Sequence, residues 1–439
     1  MICFVILWRY EDYIMSKVLI KNIGTLQTPV GSYAHKGAEQ GENLVLKNAA
    51  ILIDKGIITE IISGDGANIK FRVEEEQKEA DSVIDAEGHL VTPGLVESHT
   101  HMIFGGYRQH ELPKKLRGAT YLDILREGGG INDTVRATRA SSFEELYGKT
   151  SKFLDEVSSF GVTTCEIKSG YGLDFDTEVK CLEVLRKLNQ EHPLDVVSTF
   201  MGAHALPPEF KGNIDEGKPD DKEGFFRLMN EKLLPYIAEH DLADFVDIFI
   251  EEEVFSVEEG RAYLEKAKEL GYDIKVHADE IKSIGGTELA GEMKAKSAEH
   301  LIVADSKGIE ALAKGGTVAV CLPGTSFYLG STFAPVREMI EKEVPVAIAT
   351  DFNPGSCPCL NLQLMMNLAI LKYKMLPEEI LTAVTVNAAA ALNMENIVGT
   401  VEVGKQADLA IWSIDDFNMA CYRYGSNLVK KTIKKGELI

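Results

Sequence analysis

The sequence predicts an α/β protein: a (β/α)8 TIM barrel with a small β-sandwich domain that is built from both chain termini. Between Gly94 and about residue 397, short apolar runs alternate with helical stretches, which is the pattern of a parallel sheet. Eight apolar runs can be counted there, and that number fits a closed barrel better than an open sheet. Both chain ends instead carry β-rich runs that are broken by turns. Periodicity alone leaves the open sheet as an alternative, because it does not show whether the sheet closes.

The domain organisation follows from this change of pattern along the chain. Pro93 and Gly94 are typical of a turn between two structural units. We therefore expect residues 93–397 to form the barrel, and residues 15–92 together with 398–439 to form the composite β-sandwich domain. Chain termini often lie close together, which makes such an insertion geometrically simple. Residues 1–14 are expected to be a disordered extension, since their apolar run is too short to span a bilayer and no basic region precedes it.

The individual elements can be placed by hydrophobic period. The predicted barrel strands are Leu95–His99, Val162–Ile167, Val196–Met201, Phe245–Ile250, Asp273–His277, Ser297–Leu301, Thr317–Leu322 and Pro345–Ala349. Helices are predicted between them, for example at Phe143–Phe160, Thr177–Gln190, Glu258–Leu270 and Ser306–Lys314. Residues 17–90 show short β-rich runs and no long helical period. In such a barrel, catalytic residues collect at the C-terminal ends of the strands.

Composition restricts the classes of partner. Hydrophobic residues make up 45% of the chain and charged residues 26%, which is ordinary for a globular protein. A formal net charge of -22 argues against nucleic acid and against an anionic membrane as partners. The seven cysteines form no plausible disulfide framework, so a reducing cytoplasm is expected, with Cys357 and Cys359 as buried or partly buried thiols. The charged segment Pro207–Glu223 is expected to face solvent, with a lid over a substrate as the alternative.

Histidines concentrate at the predicted strand ends. His99 and His101 stand two residues apart, and residues i and i+2 of a strand point to the same face. Of the ten histidines in the chain, five fall at or just after a predicted strand end, and Asp351 follows the last strand. These five are His99, His101, His204, His277 and His300. Packing alone does not explain this convergence, so the pattern predicts a metal-dependent site.

A single divalent metal needs three or four nitrogen or oxygen ligands and one position open for water. His99, His101, His277 and Asp351 supply that set. Such a site would lower the pKa of bound water to about 7, and Asp351 could also receive the water's proton. The segment around the fourth strand, Asp244–Glu253, contains no lysine that could bridge a second metal, which favours a single ion.

Several segments together resemble the amidohydrolase superfamily, and they span most of residues 90–410. They are Pro93–His101, Phe104–Arg108, Gly128–Ile131, Glu166–Leu173, Gly202–Glu209, Val276–Glu280, Ala298–His300, Thr350–Ser356 and Gly404–Ala410. The detailed match is to superfamily members that hydrolyse the cyclic amide of 4-imidazolone-5-propanoate to N-formimidoyl-L-glutamate in histidine degradation. The tyrosine segment Glu166–Leu173 and the run Asp351–Ser356 are far more specific than the paired histidines.

The resemblance implies one Zn²⁺ or Fe³⁺ per chain, held by His99, His101, His277 and Asp351, and a cytoplasmic homodimer. It implies catalytic roles for Asp351, His300 and Glu280. It also implies that substrate is bound by Arg108, Tyr171, His204, Glu280, Asn353, Gly355 and Ser356.

Residue chemistry agrees with these roles but leaves alternatives open. The planar guanidinium of Arg108 suits a propionate carboxylate. Glu280 could orient water or carry its proton, or it could fix a neighbouring histidine. His300 would polarise the ring carbonyl, while His204 and Tyr171 would hydrogen-bond the ring. Lys168 could contact an anion or could be an inward-facing lysine paired with a glutamate.

Two other functions fit the same residues. One is hydrolysis of a different cyclic amide or amidine, such as deamination of a nucleobase. The other is a catalytically silent scaffold that binds a metal or a ligand. Arg108 discriminates between 4-imidazolone-5-propanoate and a nucleobase, because a neutral base has no carboxylate for the arginine to bind.

Overall fold

The computed structural model describes residues 17–64, 67–118, 129–212 and 217–439. The predicted extension at residues 1–14 therefore lies outside the described residues, as do Gly128 and residues 213–216 of the charged segment. The strands are β1 (Lys17–Thr28), β2 (Leu44–Asp54), β3 (Ile57–Ile62), β4 (Ser82–Asp85), β5 (Leu90–Pro93), β6 (Leu95–Glu97), β7 (Val162–Lys168), β8 (Asp195–Ala203), β9 (Phe245–Ile250), β10 (Asp273–Ala278), β11 (Ser297–His300), β12 (Val318–Cys321), β13 (Val346–Ile348), β14 (Leu409–Trp412), β15 (Val429–Lys434) and β16 (Glu437–Leu438). They form two separate sheets.

The eight strands β6 to β13 pair in chain order, each parallel to the next, which confirms the predicted barrel. Its first and last strands meet just beyond β6 and β13. There the amide of His101 donates to the carbonyl of Phe352 at 2.9 Å, and the amide of Asp351 donates to the carbonyl of His99 at 3.1 Å. The sheet thus comes close to full closure at its C-terminal rim, where the predicted site lies.

Helices cover the barrel between successive strands. The α-helices are Ala67–Glu79, Leu112–Leu116, Ile131–Ala140, Phe143–Ser159, Phe175–Glu191, Lys222–Leu228, Leu234–Glu239, Val257–Glu269, Gly286–Glu292, Ser306–Gly315, Pro323–Leu329, Val336–Glu341, Leu362–Leu368, Pro377–Ala383, Val386–Ala390 and Phe417–Tyr422. Two of them begin with a reciprocal capping box, formed by Ser142 with Glu145 and by Ser256 with Glu259. The four helices predicted as examples are confirmed to within two residues at each end.

One expectation for the N-terminal region is wrong. Residues 17–90 contain the 13-residue helix Ala67–Glu79, where no long helical period was expected. This helix is polar on most of its surface, and Ile69 and Val73 make its apolar contact with the small sheet. Lys, Glu, Gln and Arg favour helix without an apolar stripe, so hydrophobic period gives little signal here.

The strands of both termini form the second sheet, as expected for the small domain. β1 pairs antiparallel with β2 and parallel with β4 and β5, while β14 from the C-terminal part pairs antiparallel with β5. The ammonium of Lys434 on β15 lies 2.6 Å from a carboxylate oxygen of Asp408 and 2.6 Å from one of Asp195, the first residue of barrel strand β8. This buried ion cluster joins the small sheet to the N-terminal end of the barrel.

Smaller features follow the sequence expectations. Lys218, Asp220 and Asp221 of the charged segment are exposed, Cys357 is buried and Cys359 is partly buried. Among the described residues, no helix is both long and apolar enough to cross a membrane.

Replacing Lys434 by Met should destabilise the protein strongly. Removing one partner from a buried ion cluster leaves uncompensated charge, here above all on Asp408, at a typical cost of ~3–5 kcal/mol. The thermal unfolding midpoint should fall markedly. The matched control is Lys430→Met, which breaks a partly exposed pair with Glu87 and should leave the midpoint nearly unchanged. Equal midpoints for the two variants would contradict a stabilising role for the cluster.

Candidate active site

Two histidines and an aspartate meet where the barrel closes. His99 and His101 follow β6, and Asp351 follows β13. Asp351 Oδ1 lies 3.3 Å from His99 Nε2 and 3.6 Å from His101 Nε2, and all three side chains are buried. The backbone hydrogen bonds between the first and last strands set this proximity, because they fix the residues that carry the side chains.

Two further histidines complete the ring of imidazoles. His277 lies on β10 and His300 ends the neighbouring strand β11. The ring centroids of His99 and His277 are 4.7 Å apart, and those of His277 and His300 are 5.2 Å apart. The ligand atoms of His99, His277 and His300 lie within 4.8 Å of one another, as do those of His99, His101 and Asp351. The structure therefore brings together all the predicted metal ligands and adds His300 beside them.

The chemistry of these groups fits a metal ion. His99 Nε2 and His277 Nε2 are buried and have no hydrogen-bond partner among the described residues. Burial lowers the pKa of His99 and of His101 well below the ordinary value, so both imidazoles are neutral and their nitrogens can act as ligands. A carboxylate beside neutral imidazoles is a ligand set typical of catalytic zinc or iron sites.

Carboxylates behind the ring hold two of the histidines, and the sequence analysis missed both. Glu299 on β11 accepts a hydrogen bond of 2.6 Å from His99 Nδ1, and its other oxygen accepts one of 2.5 Å from Ser297 Oγ. Asp247 on β9 has a carboxylate oxygen 2.9 Å from His277 Nδ1. An ionised carboxylate can only accept, so each contact favours the tautomer that leaves Nε2 free toward the centre. For Asp247 the missed signal is an acid inside the apolar strand Phe245–Ile250, whereas the strand of Glu299 is not apolar and shows no such pattern.

Lys168 is the inward-facing lysine rather than an exposed anion contact. Its ammonium lies 2.7 Å from Glu166 and 3.0 Å from Asp247, and all three side chains are buried. Lys275 adds a second buried cation, 3.1 Å from Glu166. These lysines compensate the buried acids behind the histidines, which would otherwise be costly to keep ionised.

The orientation of the Asp351 carboxylate is also fixed. Thr325, in the helix Pro323–Leu329, donates a hydrogen bond of 2.5 Å to Asp351 Oδ2, which leaves Oδ1 for the histidines. Asp351 adopts a φ of 56° and His300 a φ of 69°. Such left-handed backbone in residues other than glycine is uncommon and concentrates at functional sites. No sequence pattern points to Thr325, because it lies 26 residues from the aspartate it contacts.

Aromatic groups form one wall beside the histidine ring. The rings of His101 and His204 stack at a centroid distance of 5.0 Å, and Tyr171 lies 5.3 Å from His204. His204 Nδ1 lies 3.0 Å from the carbonyl of Gly170, so it donates and Nε2 is left as an acceptor. Burial lowers the pKa of His204 to about 3, which keeps the ring neutral.

The loop after β13 brings Asn353, Gly355 and Ser356 to the same rim. Asn353 uses its side chain within this loop: Oδ1 accepts from the amides of Gly355 and Ser356, and Nδ2 donates to the carbonyl of Asp351 and to Ser356 Oγ. The guanidinium of Arg108 lies against Gly355. The predicted substrate-binding residues are thus close to the histidine ring or to each other.

Glu280 lies in the loop after β10, with a carboxylate oxygen 3.8 Å from His300 Nε2. Burial and the charges of Asp351 and Glu251 raise the pKa of Glu280 to about 8. The buried Glu251 holds this loop, because its carboxylate accepts from the amides of Ile281 and Lys282 at 2.8 and 3.0 Å. Glu251 was also missed, since its sequence neighbours Glu252 and Glu253 make it look like part of an exposed charged run.

Comparisons with known proteins agree with this site. The model of the amidohydrolase family matches residues 90–439. The chain is 48% identical over 426 residues to the imidazolonepropionases of Bacillus cytotoxicus and Bacillus cereus, and the match covers 97% of this chain and 97% of each relative.

Solved structures with low sequence identity share the fold. A zinc-bound adenosine deaminase of Xanthomonas campestris has a TM-score of 0.68 at 18% identity, over 96% of this chain and 92% of that chain. E. coli guanine deaminase has a TM-score of 0.69 at 15% identity, over 98% of this chain and 99% of that chain. These structural similarities support the barrel and its small domain. At identities this low they carry no information about the substrate.

Replacing Glu299 by Gln should weaken metal binding by ~10–100-fold, because loss of a carboxylate partner frees the tautomer and orientation of a ligating histidine. Competition with a chromophoric chelator measures this affinity, and elemental analysis measures the bound metal. The control is Glu310→Gln, at an exposed glutamate paired with Lys342, which should bind metal like the wild type. Wild-type affinity in Glu299→Gln would show that this carboxylate does not support the ligand set.

Proposed function

Because this chain belongs to the amidohydrolase family and, within it, to the imidazolonepropionases, we propose that its histidine cluster is the active site that hydrolyses 4-imidazolone-5-propanoate. The chain is a hydrolase of carbon–nitrogen bonds in histidine degradation. Water adds to the ring carbonyl carbon, the cyclic amide C–N bond breaks, and the ring nitrogen receives a proton, which gives N-formimidoyl-L-glutamate.

The metal-holding residues in this proposal are His99, His101, His277 and Asp351. The neutral imidazoles of His99 and His101 support the assignment, as do the Nε2 atoms of His99 and His277, which have no hydrogen-bond partner among the described residues. When bound there, a Zn²⁺ or Fe³⁺ ion would supply Lewis acidity and would lower the pKa of a water molecule. The protein's own side chains then have to bind the substrate, orient it and move protons.

The observation that carries the substrate assignment is the guanidinium of Arg108. It lies at the rim beside Gly355, its Nε is buried, and no carboxylate partner is found for it among the described residues. A propionate carboxylate would satisfy it with two parallel hydrogen bonds.

The aromatic wall would orient the imidazolone ring. Because His204 donates through Nδ1 to Gly170, its Nε2 is available to accept a hydrogen bond from a ring N–H. The hydroxyl of the buried Tyr171 would donate to the ring, since burial raises the pKa of Tyr171 and keeps it protonated. His300, neutral because burial lowers its pKa, would donate to the ring carbonyl oxygen as negative charge develops on it.

Two carboxyl groups would carry the protons. Burial raises the pKa of Asp351 to about 6, so it is ionised at neutral pH and basic enough to receive a proton from water. Glu280, with a pKa of about 8, is largely protonated at the same pH and would donate to the departing ring nitrogen. Paired carboxyl groups with separated pKa values are the usual basis for dividing acid and base roles.

Three finer assignments belong to this proposal. The ion is Zn²⁺ or Fe³⁺, the protein is a cytoplasmic homodimer, and residues 15–92 with 398–439 form one domain that is interrupted by the barrel at residues 93–397. Elemental analysis of protein purified without added metal identifies the ion, and measurement of mass in solution tests the homodimer.

The activity itself is tested by the loss of imidazolone absorbance after adding metal-loaded protein. The proposal requires that loss, together with formation of N-formimidoyl-L-glutamate. Retained absorbance with full metal content would refute the substrate assignment, and turnover of a nucleobase by the same sample would support the deaminase alternative.

Replacing Arg108 by Ala should raise KM for 4-imidazolone-5-propanoate by ~10–100-fold, because a charge-assisted hydrogen-bonded pair typically contributes ~1.5–3 kcal/mol. Steady-state kinetics checks the effect. Arg227→Ala is the control, since Arg227 forms an exposed pair with Glu223 and should leave KM unchanged. An unchanged KM in Arg108→Ala would show that Arg108 does not bind the substrate carboxylate.

Replacing Glu280 by Gln should lower kcat by ~10²–10⁴-fold, the usual contribution of a positioned proton donor, with little change in metal content. The proton of Glu280 is present below pH 8 and lost above it, so wild-type kcat should fall as pH rises through about 8. That alkaline decrease should be absent from the residual activity of Glu280→Gln. A variant that keeps the wild-type pH profile would exclude Glu280 as the donor.

A further inference from the structure

Glu178 is a buried acid near the start of the helix Phe175–Glu191. Its side chain faces the loop of residues 169–173, which follows β7 and leads into this helix. Four hydrogen-bond donors of the loop meet its two carboxylate oxygens. They are the hydroxyl of Ser169 and the amides of Gly170 at 3.1 Å, Gly172 at 2.7 Å and Leu173 at 2.8 Å. An ionised carboxylate has about four acceptor positions, so this loop occupies all of them.

The loop depends on this partner because its own backbone is irregular. Leu173 adopts a φ of 56° and Gly170 a φ of 110°, which excludes both helix and strand. All five residues of the loop are buried, so its amides cannot turn to water, and an unpaired buried amide is costly. Gly172 allows the acid to approach this closely, since a Cβ atom there would lie 2.9 Å from Glu178 Oε1. The carboxylate of Glu178 therefore sets the shape of the loop.

The same loop supports two groups of the proposed ring-binding wall. Tyr171 lies on it, with its ring centroid 5.3 Å from that of His204 and 5.9 Å from that of His101. The carbonyl of Gly170 accepts the hydrogen bond from His204 Nδ1 at 3.0 Å, which determines the tautomer of that ring. A displaced loop would therefore move the hydroxyl of Tyr171 and release His204 from a single tautomer.

We propose that Glu178 is a positioning residue: by holding the loop of residues 169–173, it places the hydroxyl of Tyr171 and keeps His204 in the tautomer whose Nε2 accepts from the substrate ring. The inference rests on the proposed function, in which Tyr171 and His204 bind that ring. Glu178 acts through the loop and not through a contact of its own with the substrate.

Glu178→Gln tests the link to His204 without any substrate. The variant keeps the shape of the side chain but sets an NH2 group, which cannot accept a hydrogen bond, opposite at least one amide of the loop. Nitrogen NMR of zinc-loaded protein with isotope-labelled histidine reports the tautomer of each ring, and the signals that are lost in His204→Gln assign that ring. The wild type should carry the proton of His204 on Nδ1. In Glu178→Gln, both ring nitrogens of His204 should move toward the averaged values of two exchanging tautomers.

Steady-state kinetics with 4-imidazolone-5-propanoate tests the consequence for the reaction. Contacts to the ring hold the substrate as well as the transition state, so Glu178→Gln should raise KM by ~10-fold or more, the effect of losing one or two hydrogen bonds. Metal content, measured by elemental analysis, should stay at the wild-type level. Partial unfolding would instead lower kcat and leave KM unchanged, so the two causes can be separated.

Glu379→Gln is the matched control for the loss of a buried carboxylate. Glu379 is also buried near the start of a helix, and it accepts a backbone amide, that of Leu376, at 2.8 Å. It lies at the N-terminal end of the barrel, because Gln40 donates both to its carbonyl and to that of Val346, the first residue of β13. Whatever stability this variant loses, it should keep the wild-type KM and the wild-type spectrum of His204.

Double-mutant cycles identify the group through which Glu178 acts. In the Tyr171→Phe background, Glu178→Gln should raise KM by a smaller factor than in the wild type, because the hydroxyl that it positions is already absent. In the Arg108→Ala background, Glu178→Gln should raise KM by the full factor, because Arg108 binds the carboxylate arm and not the ring.

The outcomes distinguish this inference from the proposed function. Wild-type KM in Glu178→Gln, an unchanged His204 spectrum, or an equal KM factor in both backgrounds would each overturn the inference while turnover by the wild type stands. A wild type without turnover would refute the proposed function, and the His204 spectrum would still decide whether Glu178 holds the loop.

A second variant covers a failure of Glu178→Gln to fold. Glu178→Asp keeps the charge but shortens the side chain by one methylene group, so it should fold and show smaller changes of the same kind in KM and in the His204 spectrum. Failure of both variants to fold would show that Glu178 serves the fold as a whole, which also overturns the inference.

Discussion

The closure of the barrel is the constraint on which the site depends. Two backbone hydrogen bonds, from His101 to Phe352 and from Asp351 to His99, join the first strand to the last at their C-terminal ends. They place the paired histidines beside an aspartate that is remote in sequence. His277 and His300 reach the same centre because parallel neighbours in a barrel end at the same rim. Without that junction the chain would hold the same residues but no common site.

The layer behind the histidines explains how such a site can be kept rigid. Glu299 and Asp247 contact the Nδ1 atoms that face away from the centre, and Lys168 lies between Asp247 and Glu166. Burying so many charges contributes little net stability, because desolvation offsets their attraction. What the arrangement supplies is orientation, since the imidazoles of His99 and His277 are each held in one tautomer before any ligand arrives. Stability comes instead from the apolar contacts between strands and helices.

The sequence predicted the barrel and the histidines and aspartate that meet at its rim because both depend on local pattern. Apolar runs mark the strands, and a polar residue at the end of such a run is visible without knowing the fold. The supporting residues depend on contacts between distant segments. Asp247 and Glu299 lie inside strands, and Thr325 lies in a helix. The helix Ala67–Glu79 was not predicted for a different reason. Its surface is mostly polar and has no apolar stripe, so the hydrophobic period does not indicate a helix.

X-ray absorption at the metal edge of protein purified without added metal tests the central claim most directly, because it reports the ligands of the bound ion. The account predicts one ion per chain with only nitrogen and oxygen neighbours at ~2.0–2.2 Å and multiple scattering from about three imidazoles, as His99, His101 and His277 with Asp351 would give. Sulfur neighbours, or a spectrum without imidazole scattering, would contradict it.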